Sequence, residues 1–512
     1  MILIFFGGKG MLLSHLIRGL GIGELEIAAD PEITEICPDS RRIKKGDLYI
    51  AVEGLHTDGH KYVGDAIKNG AVALVVSKRA VKENRIDKNG IDLPIIEVDD
   101  TRIAAARLYS TYYGEPQKKL RMIGITVTNG KTSVSGLVAA MLASSGKRVG
   151  SIGTTGCFSP KGRIDIRPSD PNANMTTPDP EQLYKILDRF VSDGAEYAVM
   201  EVTSHALALG KVEPIDFEIG VFTNLSEDHL DFHENMEAYF AAKSLLFKKC
   251  RAAVINYDDR YGRRLADNIK IPTYKCSAEG RATDCYAEDI KLRSSFGIEY
   301  KLVSSAMRLR VRSILSGSFN VMNTMQAAIT AHALGVKVAD IKETLADFSG
   351  IAGRLERVKT TNRVDFSVYI DYAHTPDALE NLIRTARSFA ARGQRIVLLF
   401  GCGGDREKQK RAIMGNIATS MADLAIITSD NSRSERPADI IGDILSGVVA
   451  DATYTVIEDR REAIEYAIKN ARRGDIILLA GKGHEEYEID REGKKPFSEK
   501  QIVKEAIERY LS

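Results

Sequence analysis

The chain has 512 residues, 44% of them hydrophobic and 28% charged, a length that suggests about three domains with cores needing no disulfide or metal staples. Lys and Arg total 71 against 70 Asp and Glu, a net charge of +1 that speaks against a nucleic-acid or membrane-surface binder and leaves any anionic ligand to local sites. Cys37, Cys157, Cys250, Cys276, Cys285 and Cys402 are scattered without a CxxC pair, which disfavours a zinc cluster or disulfide framework and fits reduced thiols.

The first stretch, MILIFFGGKGMLLSHLIRGLG, is apolar, but it lacks a basic leader and a cleavage site, and Gly7, Gly8, Lys9 and Gly10 interrupt it. It reads as a strand, a turn and a helix. No segment reaches the ~20 apolar residues of a membrane span, so a soluble, cytoplasmic protein is expected. Residues 1–118 then carry short β-rich runs, DLYIAV, AVALVVS and PIIEV, with the helix-like YVGDAIKNG between the first two; this is a small α/β domain. GEPQKK (114–119) reads as a hinge.

The second region, 119–347, opens with a buried strand, a glycine-containing turn and a helix, the order of a phosphate-binding α/β unit. YAVMEV, IGVFTNL and AAVINY continue the alternation, and the helix QAAITAHALG closes it. In 348–512 the runs FSVYIDYA, RIVLLFG, DLAIITSD and IILLAGKG are strands separated by helices, which predicts a second doubly wound parallel sheet. Ligands in such sheets sit at the carboxyl ends of the strands, where the candidate residues fall.

Thr126-Val127-Thr128-Asn129-Gly130-Lys131-Thr132 lies between the strand and its helix. Backbone N–H groups there can surround phosphate oxygens, Lys131 can neutralise the outer phosphates, and the Thr132 hydroxyl can meet Mg²⁺. The strict phosphate-loop pattern asks for Gly where Ile125 stands, so a plain helix-opening turn remains the alternative. Glu201 at a strand end and His229 in SEDHLD are chemically sensible metal-site groups, although His229 also suits a plain helix start. Lys243, in the apolar AYFAAKSLLF, reads as a snorkelling surface lysine.

The phosphate turn, EVTSHAL, TNLSEDHLDFH, AYFAAKSLLF, GSFNVMN, GRLERV, DYAHTPDAL, FGCGGDREKQKR, TSDNSRSE and GKGHE follow one another in this order. Together they resemble the Mur ligases, over residue 38 to the end. The resemblance implies three domains: an N-terminal uridine-binding domain, a central P-loop ATPase-like domain, and a Rossmann-like C-terminal domain. The three-domain layout suggests that the third closes over ATP and excludes water. It implies an ATP-dependent ligase of peptidoglycan precursor synthesis, which adds meso-diaminopimelate to the D-Glu of UDP-N-acetylmuramoyl-L-alanyl-D-glutamate through an acyl phosphate. A monomer with small-molecule substrates, using ATP and two Mg²⁺ ions, is expected.

By that resemblance Thr128, Asn129, Gly130, Lys131, Thr132 and Ser133 hold ATP, with Asn320 and Asn323 near adenine, Arg354 at the ribose, and Asp371 and His374 facing the nucleotide. Thr132, Glu201 and His229 hold Mg²⁺, and Lys243 becomes a carbamate that supports a second ion. Ser40, His56 and Thr57 meet uridine, while Thr176, Thr177, Thr203 and Lys211 meet the muramoyl peptide; the Thr176–Thr177 pair also suits a helix N-cap. Arg406, Asp430, Asn431, Ser432, Arg433, Gly481 and Glu485 form a clamp for the far end of the diamino acid, Arg facing carboxylate and Glu485 facing ammonium.

Some positions depart from the family pattern. One extra residue separates DSR from GD, Thr203 stands for Ser, Leu209 and Lys211 for Gln and Arg, and Ser432 for Pro, which is expected to loosen its loop. These departures keep L-lysine, another diamino acid or a variant nucleotide-peptide as the rival substrate. A folate- or cyanophycin-type ligase is opposed by NMTTPDP and GLHTDG, and a non-catalytic nucleotide-binding protein by the presence of Lys131, Thr132, Glu201, His229 and Lys243.

Overall fold

The computed structural model describes residues 10–22, 29–54, 57–164, 176–280, 283–292, 297–315, 317–348, 350, 353, 355–358, 364–391 and 393–511. His56 and Arg354 lie outside the described residues. The chain divides into two compact units, one of Met1–Thr126, Lys147–Gly220 and Ala242–Ala252, the other of Val127–Gly146, Val221–Ala241 and Ala253–Ser512.

In the first unit a four-stranded parallel sheet runs in the order Ile36–Cys37, Leu48–Ile50, Ala73–Ser77, Ile95–Val98. Tyr49, Leu74 and Val76 pack with Val63, Ala66 and Ala80 from the helices on one face. The helix Thr101–Tyr112 starts where Asp100 accepts from the backbone N–H of Arg102 and Ile103. The expected hinge is a short 3₁₀ turn, Pro116–Lys119, after Glu115 in the left-handed region. A second sheet follows in the order Gly162–Ile164, Gly156–Ser159, Val149–Gly153, Tyr197–Glu201, Arg121–Thr126. Its two inner strands are parallel and buried on both faces, hence their near-continuous apolar runs.

In the second unit the helix Lys131–Ser144 packs against Phe319–Ala333, which begins seven residues before the predicted QAAITAHALG and buries Asn320, Asn323 and Gln326 as well as its apolar face. Cys285–Leu292, Ile298–Ser304 and Arg308–Ser313 form an antiparallel meander. The sequence reading expected strand–helix alternation here. The period-two burial of RLRVRS is the local signal of the meander.

The C-terminal sheet confirms the expected doubly wound form, in the order Glu356–Arg357, Ser367–Asp371, Ile476–Ala480, Ile396–Phe400, Leu424–Ile427, Tyr454–Val456. All neighbours are parallel except the first pair. Side chains alternate between two cores, as strand geometry requires. Leu398, Phe400, Ala425 and Leu478 face the helices Pro376–Phe389, Gln409–Met421 and Pro437–Leu445. Val397, Leu399, Ile426 and Ile477 face Arg460–Lys469 and Glu499–Leu511.

Arg460 is buried at the start of its helix, donating to Glu499 Oε1 at 2.9 Å, the Ser429 carbonyl at 3.2 Å and the Ala480 carbonyl at 2.7 Å. Removing it strands the buried Glu499 charge. Arg460→Ala is expected to lower stability by about 3–5 kcal/mol. Arg509→Ala, which breaks the exposed pair with Glu465, is expected to leave the unfolding midpoint essentially unchanged, because water and salt screen such a pair. Urea unfolding of the two variants checks the contrast.

Candidate active site

The loop Val127–Gly130 is held from inside. The Asn129 N–H donates to Asn224 Oδ1 at 2.9 Å and the Asn224 amide returns a bond to the Asn129 carbonyl at 2.7 Å. Lys131 Nζ donates to the Val127 and Thr128 carbonyls at 2.8 and 3.1 Å, so its ammonium lies back over the loop. Gly130 has φ +101°, and a Cβ there would meet Asn323 Oδ1 at 2.9 Å. Only glycine suits both constraints. Asn323 in turn donates to Asn320 Oδ1 at 3.0 Å, so the two expected adenine-side residues are joined to each other and sit against the loop. Thr132 and Ser133 open the helix Lys131–Ser144, with Thr132 buried.

Beside the loop, Thr128 Oγ1 pairs with the Tyr239 hydroxyl at 3.2 Å. His229 packs edge-on to the Tyr239 ring and adopts φ +56°, in the left-handed region that few non-glycine residues enter and histidine enters more readily than most. Its ring lies 3.4 Å from Asp228 Oδ2. Burial pushes the Asp228 carboxyl up, but the positive neighbours His229, His374, Lys410 and Lys131 outweigh it, and the carboxyl lies below its ordinary range. His374 and Lys410 thus reach the same electrostatic neighbourhood as the loop lysine. Asp371 accepts from the Leu355 and Ala373 N–H groups at 2.6 and 2.8 Å, which fixes the strand end that precedes His374.

In the first unit Glu201 ends its strand fully buried. Oε1 accepts from the Thr154 N–H at 3.0 Å and Oε2 from the Thr154 hydroxyl at 2.9 Å. A Cβ at Gly153 would meet Glu201 Oε1 at 2.2 Å, so the carboxylate approaches the backbone only because that residue is glycine. Thr177 donates to the Glu201 carbonyl at 2.9 Å and accepts from the Thr203 N–H at 3.0 Å, and Thr176 pairs with Thr154 at 3.1 Å. The structure therefore gathers Glu201, Thr176, Thr177 and Thr203 in one hydroxyl-lined cluster. The threonine pair is not the helix cap: the helix starts at Pro180 after Asp179, and Thr203 caps Ser204–Ala208 instead. Lys211 pairs with Asp179 at 2.7 Å. Lys243 is 1% exposed, which overturns the snorkelling reading.

Ser40 is buried in the turn Ser40–Arg42, its carbonyl accepting from the Asn69 amide at 2.8 Å, while Thr57 is exposed. Arg42 forms a bidentate pair with Glu181 at 3.2 and 2.7 Å.

The C-terminal residues form the tightest constellation. Lys482, with no exposed side-chain surface, donates to Asn431 Oδ1 at 3.0 Å and the Tyr487 carbonyl at 3.1 Å, and pairs with Asp430 at 3.4 Å. Asn431 Oδ1 also accepts from the Ile489 N–H at 2.9 Å, so its amide nitrogen is left to donate to Glu485 Oε2 at 2.8 Å. Gly481 carries φ +114° against Asp430. Burial, with the Asp430 charge, pushes the Glu485 carboxyl up; burial and Arg406 push the Arg433 guanidinium down. Two crowded cations and one reluctant carboxylate are what a ligand bearing both a carboxylate and an ammonium relieves. Ser432, where a looser loop is expected, is buried, its carbonyl accepts from the Glu435 N–H at 3.0 Å, and Gly404 packs against it.

Sequence reading missed Asn224, Asp228, Tyr239, Thr154 and Lys482. Asn224 and Asp228 lie in TNLSEDH and Lys482 in GKGHE, so their segments were visible but not their partners.

Three family descriptions match this chain: Mur ligase family, catalytic domain, at residues 32–113; Mur ligase middle domain at 125–331; and Mur ligase, glutamate ligase domain, at 353–483. A UDP-N-acetylmuramoyl-L-alanyl-D-glutamate–2,6-diaminopimelate ligase of Clostridium tetani is 39% identical over 97% of this chain and 99% of its own length. Its namesake from Caldanaerobacter subterraneus subsp. tengcongensis is 42% identical with the same coverage. A solved structure bearing that ligase name superposes with a TM-score of 0.66 at 30% identity, covering 98% of this chain and 99% of the other. The MurF ligase of Thermotoga maritima in complex with ADP, at 17% identity and a TM-score of 0.60 over 93% of this chain and 97% of the other, shares the fold.

Glu435 straps the two site loops together, accepting from the Asp405 N–H at 2.6 Å and from Arg411 at 2.8 and 2.9 Å. The Arg411 guanidinium holds its carboxyl at about 2, against an ordinary 4.5. A depressed carboxyl stabilises the fold fully above its unfolded value, and that contribution is lost as pH falls through the folded one. Stability is expected to fall between pH 4.5 and about 2, and Glu435→Gln to flatten that slope, as read by urea midpoints across the window.

Proposed function

We propose, from the premise that this chain belongs to the Mur ligase family, that it joins 2,6-diaminopimelate to the D-glutamate of UDP-N-acetylmuramoyl-L-alanyl-D-glutamate. It is an ATP-dependent, amide-forming ligase of peptidoglycan precursor synthesis. The observation that carries the choice of diamino acid is the Lys482–Asn431–Glu485 chain beside Arg433 and Arg406. It offers a carboxylate for an ammonium and two guanidinium groups for a carboxylate, the two charges by which diaminopimelate exceeds a simple amine.

The reaction couples two transfers. The D-glutamyl carboxylate takes the γ-phosphoryl group of ATP, giving an acyl phosphate and ADP. The amine then attacks the acyl carbon, phosphate leaves, and a proton is lost from nitrogen. Both steps concentrate negative charge, so the chain supplies cations and N–H donors rather than a nucleophile. In our reading Thr128, Asn129, Gly130, Lys131, Thr132 and Ser133 cradle the phosphates, Asn320 and Asn323 meet adenine, and Asp371 and His374 face the nucleotide, as does Arg354. Ser40, His56 and Thr57 take the uridine end. Thr176, Thr177, Thr203 and Lys211 take the peptide. Asp430, Ser432 and Gly481 shape the loops that present Arg433 and Glu485.

The Thr132 hydroxyl and the Glu201 carboxylate, both buried, are hard oxygen donors of the kind Mg²⁺ prefers. With His229 and a carbamylated Lys243 they complete the proposed metal set. Bound Mg²⁺ supplies charge neutralisation at the phosphate oxygens. Lys243 is buried and so removed from bulk water, and its neutral amine is the form that adds CO₂. We further assign domains to 1–118, 119–347 and 348–512, and a monomeric chain working on small molecules in the cytoplasm. Among the described residues no helix is long and apolar enough to cross a membrane.

The test is a ligation assay read by mass spectrometry, in which the chain, ATP, Mg²⁺ and the UDP-linked dipeptide meet meso-diaminopimelate and L-lysine in competition. The expected product carries diaminopimelate, with one ADP released for each amide formed. Arg433→Ala is expected to erode the preference over lysine by about 10- to 100-fold, the range for a lost charge-assisted contact. A lysine product from the unaltered chain would overturn the assignment of the diamino acid.

A further inference from the structure

We propose that Asp377 is a positioning residue that latches the helix Pro376–Phe389 to the phosphate loop. It thereby sets how Asp371 and His374 meet the nucleotide. The proposal rests on the reading of the loop and of those two residues given above, and goes beyond it in naming the contact that joins them.

Asp377 lies in the first turn of its helix, 248 residues along the chain from Asn129, yet the Asn129 amide donates to Asp377 Oδ2 at 2.6 Å. The Ser226 hydroxyl donates to the same oxygen at 3.2 Å, and the Asn129 amide also reaches Ser226 Oγ at 3.3 Å. Three segments distant in sequence therefore converge on one carboxylate: the phosphate loop, the TNLSED turn and the start of a C-terminal helix.

The rest of each segment is held without Asp377. Both backbone groups of Asn129 are already engaged by Asn224. The helix N-terminus is capped by Thr375, whose hydroxyl accepts from the Ala378 N–H at 3.3 Å. The contact is thus not needed to form the loop or the helix. What it determines is their separation. Asp371 and His374 sit six and three residues before Asp377, at the end of the strand Ser367–Asp371 and in the turn that follows it, so a helix fixed to the loop fixes them too.

The charge supports the same conclusion. A carboxylate next to a loop that gathers polyphosphate is electrostatically unfavourable for nucleotide binding. A charged acceptor does, however, strengthen hydrogen bonds from Asn129 and Ser226 beyond what a neutral one gives. An acidic residue suits a latch here and does not suit a phosphate ligand.

The experiment compares the full chain with Asp377→Ala, Asn129→Ala and the double variant, with Asp377→Asn as the conservative control that keeps an acceptor oxygen. Asp377→Ala is expected to lower kcat for ligation about 10- to 100-fold, the range for a lost hydrogen bond to a charged group, with KM for the diamino acid and the thermal midpoint unchanged. The double variant is expected to be no slower than Asn129→Ala, and Asp377→Asn to recover most of the rate. Additive losses, or an Asp377→Ala enzyme as fast as the unaltered chain, would overturn the latch. If Asp377→Ala fails to fold, the Asp377→Asn rate combined with Asn129→Ala decides by the same criterion of additivity. If the unaltered chain ligates neither amino acid, the functional reading fails, and the latch is judged separately by small-angle scattering with ADP. There Asp377→Ala and Asn129→Ala are expected to show the same larger radius of gyration, and unchanged scattering would overturn the latch.

Discussion

Three cations with almost no exposed side-chain surface, Lys482, Arg411 and Arg460, organise the carboxyl-terminal edge of the C-terminal sheet. A buried charge is tolerated only when paired and hydrogen-bonded, so each of these side chains forces specific loops to come to it. Arg411 draws in Glu435 and the Gly403 carbonyl, Arg460 the Ser429 and Ala480 carbonyls, and Lys482 the Asp430–Asn431 segment and the Tyr487 carbonyl. The loops after Ile396–Phe400, Leu424–Ile427 and Ile476–Ala480 are thereby fixed to one another from below. Arg433, held at φ +50°, and Glu485 stand on that frame. The strain at Arg433 is offset by its bonds to the Gly404 and Asn431 carbonyls at 2.8 and 3.2 Å.

The phosphate loop meets the same demand by other means. It has to present N–H groups outward, so its own backbone needs partners behind it, and Asn224 supplies both from a strand end. An asparagine is suited to this because one carboxamide both accepts and donates. The same economy recurs at Asn431, whose oxygen takes Lys482 and Ile489 while its nitrogen serves Glu485. In each place one carboxamide satisfies two neighbours at once and so fixes the backbone or side chain beside a charged group.

Much of this was legible in the sequence. Runs such as RIVLLFG and IILLAGKG are apolar throughout because parallel strands are covered on both faces, and the helices between them left a helical period. The phosphate loop was visible as a polar turn between a strand and a helix, and Glu201 and His229 as metal-suited groups at a strand end and in an acidic turn, whereas the DNSR and GKGHE segments carried a role only through the family resemblance. The meander of residues 285–313 was not foreseen, since antiparallel strands with one wet face look like polar loops unless their period is counted. Thr154 and Tyr239 were invisible for a different reason. Their roles come from partners 47 and 111 residues away, and no local pattern encodes such pairings. The segment of Lys243 alone suggests a surface residue, because lysine in an apolar helix is usually exposed, and its burial is visible only in the fold.

At Lys211 and Ser432, two departures from the family pattern, neighbouring residues hold what the substituted side chain does not. Proline at 432 would restrict the backbone through its ring. Serine cannot, yet the loop is held by burial, by the Ser432 carbonyl bond to the Glu435 N–H, and by Gly404, which has no side chain to push it away. Restriction by covalent geometry is replaced by restriction through packing. Lys211 has lost the planar fork of an arginine but is aligned by Asp179, which converts a mobile point charge into a directed one. In both places neighbouring residues, rather than the substituted side chain, determine where the charge and the backbone end up.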